Sequence, residues 1–254
     1  MDITNVRHWT LSFVIISLFY LSTHLTGWLN AAGVFQQSPE WVRHYVPYGI
    51  WTLTIIGFFI FLPDDIFKVT GLGAPVLKGL WLACVFVSPM VIGFVITSEL
   101  TTFSPLSLLD KALLPGFFEE LMFRGFLVGT LICVAKWHFL PAALVSAVLF
   151  GVGHWFQGAT PVEALLASVF TGVGGLWFAW LFIRWDHNLW LVASLHTMMN
   201  ACWVLWDVDT SAIGGNLANL LRMLTIVLSI AVTAIYSRRR TSQRFIAANG
   251  ERGL

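Results

Sequence analysis

Charge is scarce in this chain. Asp, Glu, Lys and Arg make up 11% of its 254 residues, against about 25% in an ordinary soluble domain. That deficit, with a mean hydropathy of +0.80, excludes a water-soluble fold and points to the membrane. Neither sign of charge is in excess, the net being +1, so there is no basic surface to hold nucleic acid. Cysteine is sparse as well. Cys84, Cys133 and Cys202 stand far apart in apolar stretches with no CxxC. An odd count argues against a disulfide framework, and all three read as small buried apolar side chains. Internal repeats and low-complexity stretches are lacking, and no connector is long enough to hold a soluble domain.

Apolar length is abundant. A spanning helix needs about 20 mostly apolar residues, and runs of that kind fall near 9–29, 47–62, 78–97, 112–135, 139–157, 161–184, 188–206 and 217–236. The expected fold is therefore all-α, a polytopic transmembrane bundle of about eight spans. The second run is short and stops at Pro63. The first reads as a retained span rather than a signal peptide, because it is long, weakly basic at its flank and has Asp2 beside its start.

Lysine and arginine orient the bundle. Arg238, Arg239, Arg240 and Arg244 place the C-terminus in the cytoplasm, and counting back puts Arg184, Lys136, Lys78, Lys68 and Arg7 on the same side. Only Arg43, Lys111 and Arg222 fall outside. Trp9, Trp28, Trp81, Trp137, Trp155, Trp185, Trp190 and Trp206 lie near the expected interfaces, where an amphipathic ring prefers to sit. "SVFTGVGGLW" superficially resembles a phosphate loop, but it follows no strand; Ser168, Gly172 and Gly175 read instead as a close helix contact.

Against this background six polar residues are out of place: Glu119, Glu120 and Arg124 in the fourth run, His154 in the fifth, His196 and Asn200 in the seventh. An intramembrane charge costs about 2.5–3.5 kcal/mol even on insertion scales, so such residues mark function or a compensating partner. Glu120 and Arg124 are four apart, on one helix face. They read as a structural ion pair, and Glu119, rotated by about 100°, is left free. Phe150 and His154 share a face by the same spacing, as do His196 and Asn200. Glu119 follows Lys111 at a depth of about 12 Å at 1.5 Å per residue, and the histidines fall in the outer halves of their spans, so all these groups can converge in the outer half of the bilayer.

The chemistry available to them is limited. A carboxylate beside a histidine in an apolar pocket can bind and deprotonate water. A second histidine and an asparagine amide can donate to the oxyanion of an attacked amide. Neither serine nor cysteine stands in a recognisable nucleophile setting, and HExxH is absent. Glu119, His154 and His196 also have the donor types of a zinc site, which stays open beside a mechanism without cofactor. Two other readings are a non-catalytic immunity or scaffold protein and a proton-coupled transporter; the latter would show inverted repeats. Among the remaining polar residues, Glu163 reads as a helix-start carboxylate, His187 as a solvated residue in a cytoplasmic turn, and Glu99 and Asp110 as groups near the outer surface.

"EELMFR", "FGVGH" and "HTMMN" occur in the order EExxxR, FxxxH, HxxxN. This triple resembles the CPBP family: CAAX prenyl endopeptidases of the second type, bacterial Abi proteins and related glutamic intramembrane proteases. The resemblance covers about residues 105–206, which it implies to be a four-helix catalytic core, flanked by transmembrane helices over 1–104 and by a last helix and basic tail over 207–254. It implies an endopeptidase in which Glu119 and His154 activate water, His196 and Asn200 form the oxyanion hole, and Glu120, Arg124 and Phe150 support the site. The implied partners are the lipid bilayer and a membrane-associated protein or peptide. A site in the outer half fits an exported substrate better than a prenylated cytoplasmic one.

Overall fold

The computed structural model describes the backbone of residues 3–62, 64–208 and 213–250, and the side chains of 5–62, 64–208 and 213–240. Asp2, Pro63 and the side chain of Arg244, all used above, lie outside these ranges. Among the described residues every regular element is helical. In chain order these are α1 (Ile3–Ala31), α2 (Glu40–Ile60), the short α3 (Ile66–Thr70) and α4 (Val76–Thr97). A long interrupted helix follows, made of α5 (Pro105–Leu108), α6 (Leu114–Glu120) and α7 (Gly129–Cys133). Then come α8 (Phe139–Val152), α9 (Pro161–Arg184), α10 (Leu189–Leu205) and α11 (Asn216–Gly250).

Among the described residues five helices are long and apolar enough to cross a membrane: Asn5–Ala31, Val76–Thr97, Phe139–Gln157, Pro161–Arg184 and Asn216–Arg240. The other three expected spans take different forms. The run 47–62 belongs to α2, whose 21 residues begin earlier, at Glu40. The run 188–206 is the 17-residue α10. The run 112–135 is broken by two π-helical segments, Leu109–Leu113 and Leu121–Val128. The first break has a local cause. Pro115 has no N–H to donate, and just before it the Leu114 N–H reaches back five residues to the Leu109 carbonyl.

The polar starts of the later helices follow from their sequences. Thr160 caps α9 by accepting from the Glu163 N–H at 3.2 Å, while Glu163 Oε2 accepts from the Ala159 N–H at 3.0 Å. This reciprocal capping gives Glu163 the structural role its position suggests. Asn188 caps α10 through the Leu191 N–H at 3.0 Å. Helices α8 and α9 approach closely at the small residues: a Cβ on Gly151 would lie 2.4 Å from the Ser168 carbonyl and 3.2 Å from Gly172 Cα. The "SVFTGVGGLW" stretch is thus a helix-packing surface within α9.

Three expectations change. Cys84 is exposed on the bundle exterior, whereas Cys202 is buried, so lipid rather than protein surrounds Cys84. Trp137, Trp185 and Trp190 turn inward: their indole N–H groups donate to Ser12 Oγ at 2.8 Å, Thr233 Oγ1 at 2.9 Å and the Leu72 carbonyl at 3.0 Å. Trp9, Trp28, Trp81 and Trp155 remain exposed. His187 is part-buried rather than fully solvated. It packs edge-on to Phe182 and lies 3.8 Å from Cys133 Sγ, and burial pushes its imidazole below the usual 6.5.

Candidate active site

The site is built on the interrupted helix. Glu119 and Glu120 end α6, and Arg124 sits in the π-helical segment that follows. π-turns rotate the residues beyond them relative to an unbroken helix and are frequent at functional sites. Although adjacent, the two glutamates meet different surroundings. The Glu120 side chain is 0% exposed, that of Glu119 22%.

Arg124 Nη1 donates to Glu120 Oε1 at 2.9 Å, with both side chains fully buried. The pair expected from the spacing is therefore formed, but it is not a closed pair. His196 Nδ1 lies 2.8 Å from the same Glu120 oxygen. A carboxylate accepts, so Nδ1 carries a hydrogen and Nε2 is the nitrogen that faces outward. That Nε2 stands 4.0 Å from Glu119 Oε2, beyond hydrogen-bond length, so Glu119 keeps its acceptor positions for another partner. Glu120 thus orients His196 as well as balancing Arg124.

Aromatic faces complete the enclosure. The Arg124 guanidinium lies 4.5 Å from the Phe150 ring centroid, 5.5 Å from Phe178 and 5.9 Å from Phe123. Among the described residues its Nε and Nη2 have no hydrogen-bond partner, and the ring faces offer the cation electrostatic contact instead. Phe178 also lies 5.5 Å from the His196 ring. Two glycines make room. A Cβ on Gly175 would sit 3.2 Å from Arg124 Nη2 and 3.2 Å from Phe150, and one on Gly116 would meet the Thr197 backbone nitrogen at 2.6 Å. At Gly116, α6 comes close to α10, the helix that carries His196.

His154 follows the end of α8 and starts a single 3₁₀ turn, Trp155–Gln157. Its Nδ1 donates to the Phe150 carbonyl at 2.7 Å. The carbonyl can only accept, so Nδ1 carries a hydrogen, and in the neutral ring the lone pair is then on Nε2. Its ring packs against Phe150 at 4.6 Å, and Phe150 lies 6.4 Å from His196. Phe150 thereby joins the two histidines and the arginine. Asn200 is one turn beyond His196 on α10 and part-buried; among the described residues its side chain makes no hydrogen bond.

Glu119, Glu120, Arg124, His196 and Phe150 are thus in one cluster, with His154 attached through Phe150. The sequence motifs did not mark Phe178 or Gly116. Phe178 is one apolar residue among many in α9, while Gly116 sits three residues before the motif. Among the described residues no three His, Cys, Asp or Glu side chains converge at metal-ligand spacing. Asp110 accepts from Tyr45 Oη at 2.8 Å.

Residues 101–202 match the family described as "Type II CAAX prenyl endopeptidase Rce1-like". The match bears out the resemblance carried by the three motifs, contains all six motif residues, and speaks for CAAX-type intramembrane protease activity. Among curated proteins and among solved structures nothing matches the chain.

Proposed function

With a type II CAAX prenyl endopeptidase Rce1-like segment at residues 101–202 as the premise, we propose that the protein is a glutamic intramembrane endopeptidase. Its substrate is a membrane-associated or exported protein or peptide. The observation that carries this reading is the division of labour between adjacent glutamates. Glu120 is buried and committed to Arg124 and His196, and Glu119 is uncommitted and part-exposed beside them.

In this reading Glu119 takes the proton of an attacking water, and His154 Nε2 accepts a hydrogen bond from the same water and aligns it. The hydroxide adds to the scissile carbonyl carbon. His196 Nε2 and the Asn200 amide donate to the resulting oxyanion. For that role the His196 ring carries hydrogens on both nitrogens, and Glu120 on Nδ1 stabilises its charge. Glu119 then passes its proton to the leaving amine, the C–N bond breaks, and the carboxylate is regenerated. No metal takes part in these steps, so cleavage is expected to persist in EDTA.

The test compares protein termini in membranes from cells carrying wild type, Glu119→Ala or His154→Ala, each variant first shown to accumulate. Cleaved termini lost in both variants are expected. Termini unchanged in both would point to a scaffold instead. The positive-inside pattern supports a site in the outer half of the bilayer, and a reporter fused after Arg244 is expected to report a cytoplasmic C-terminus. A reporter read outside would invert the site's depth and favour a cytoplasmic substrate.

A further inference from the structure

The matched segment begins at residue 101, yet one residue beside Glu119 comes from outside it. Tyr48 on α2 stacks on Phe118, the neighbour of Glu119, with ring centroids 4.8 Å apart and planes at 28°. Tyr48 thus packs on the residue directly before the carboxylate given the role of base.

Its placement is fixed from both directions. One turn toward the outer end, Tyr45 Oη donates to Asp110 Oδ1 at 2.8 Å, and His44 Nε2 lies 3.5 Å from the same oxygen. Toward the inner end, Phe58 meets Phe126 edge-on at 5.3 Å, and Trp51 packs edge-on to Tyr48 itself at 5.8 Å. The contacts to Asp110 and Phe126 tie α2 to the interrupted helix above and below the site. Pro47, directly before Tyr48, removes a backbone hydrogen bond within α2, so the ties to Asp110 hold a segment that the helix alone holds less firmly.

The two tyrosines differ in one respect that matters. The Tyr45 hydroxyl has a partner; that of Tyr48, part-buried, has none among the described residues. Phenylalanine would stack on Phe118 equally well, so the stack alone does not call for the hydroxyl. A donor held ready beside the base has a use when a substrate arrives.

We propose that Tyr48 is a specificity-determining residue: its ring bounds the space for the substrate side chain next to the scissile bond, and its hydroxyl donates to the peptide backbone there. This inference rests on the endopeptidase reading above. Because α2 lies outside the matched segment, the preference it sets belongs to this chain's own helices rather than to the shared core.

The experiment compares cleaved termini in membranes of cells carrying the full chain as wild type, Glu119→Ala, Tyr48→Phe and Tyr48→Ala. Only termini that depend on Glu119 are scored, as ratios within each variant, so differences in accumulation cancel. In Tyr48→Ala the ratio of cuts flanked by bulky residues to cuts flanked by small ones is expected to rise at least about threefold, since pocket shape discriminates by factors of that order and above. Tyr48→Phe keeps that ratio within about twofold but lowers cleavage per molecule by roughly three- to tenfold, the worth of one hydrogen bond. Equal loss of every terminus in Tyr48→Ala, or an unchanged profile, overturns the proposal. A Tyr48→Phe variant as active as wild type overturns the hydroxyl's part in it. If no terminus depends on Glu119, the endopeptidase reading itself fails.

Discussion

Glu119→Gln is expected to lower cleavage by roughly a thousandfold, within the range a positioned general base contributes, and to leave the protein's accumulation unchanged. Glutamine keeps the volume and reach of the side chain but takes up no proton at neutral pH. The fold tolerates the change because Glu119 is the part-exposed member of the cluster: its side chain is 22% exposed, and His196 Nε2 stands 4.0 Å away. Glu120→Gln behaves differently, since it takes the charge from a fully buried oxygen that holds both Arg124 and His196. It lowers accumulation and cleavage together. The measurement is kcat/KM on a peptide spanning the first identified cut, beside the amount of protein in the membrane. A Glu119→Gln enzyme keeping a tenth of wild-type activity would remove Glu119 as the base.

Arg124→Met is expected to cost about 3–5 kcal/mol of stability, the usual result of breaking a buried ion pair from one side. Methionine fills much of the space among Phe150, Phe178 and Phe123, so the cavity left is small. The loss comes from Glu120, whose carboxylate stays fully buried with His196 as its remaining partner. The double variant Glu120→Gln, Arg124→Met removes both charges and is expected to regain at least about half of the loss, because neither ion is then stranded. Arg124→Lys does not substitute, because an ammonium lacks the planar face that lies over Phe150. Thermal unfolding midpoints of the purified proteins in detergent decide the matter. An Arg124→Met protein melting with wild type would show that the pair contributes nothing to the fold.

Both predictions concern residues that the sequence marks by their chemistry. In so apolar a chain Glu119, Glu120 and Arg124 stand out, and the i, i+4 spacing is enough to pair Glu120 with Arg124, because that geometry is a property of the helix itself. The same local rule puts Phe150 with His154, whose ring contact at 4.6 Å the structure shows. Harder to read were the helices that do not obey a single period. The two π-helical segments follow from Pro115 and from packing, not from apolar length, and the short α10 carries motif residues without the length of an ordinary span. Tryptophan misled for a related reason. Its position along the chain marks depth, but which way the indole faces depends on the neighbouring helix.

Composition and helical spacing alone determined that this is a helical membrane protein with a polar cluster of carboxylate, guanidinium and imidazole groups. Those are one-dimensional properties, set by transfer energies and by 3.6 residues per turn. The tertiary structure decided which of two adjacent glutamates is committed. Glu120 meets His196 from 76 residues away because Gly116 lets α6 and α10 approach, and Tyr48 meets Phe118 because Asp110 anchors α2. Contacts across helices depend on crossing geometry and on the size of side chains at the crossing, and no periodicity within one helix carries that information.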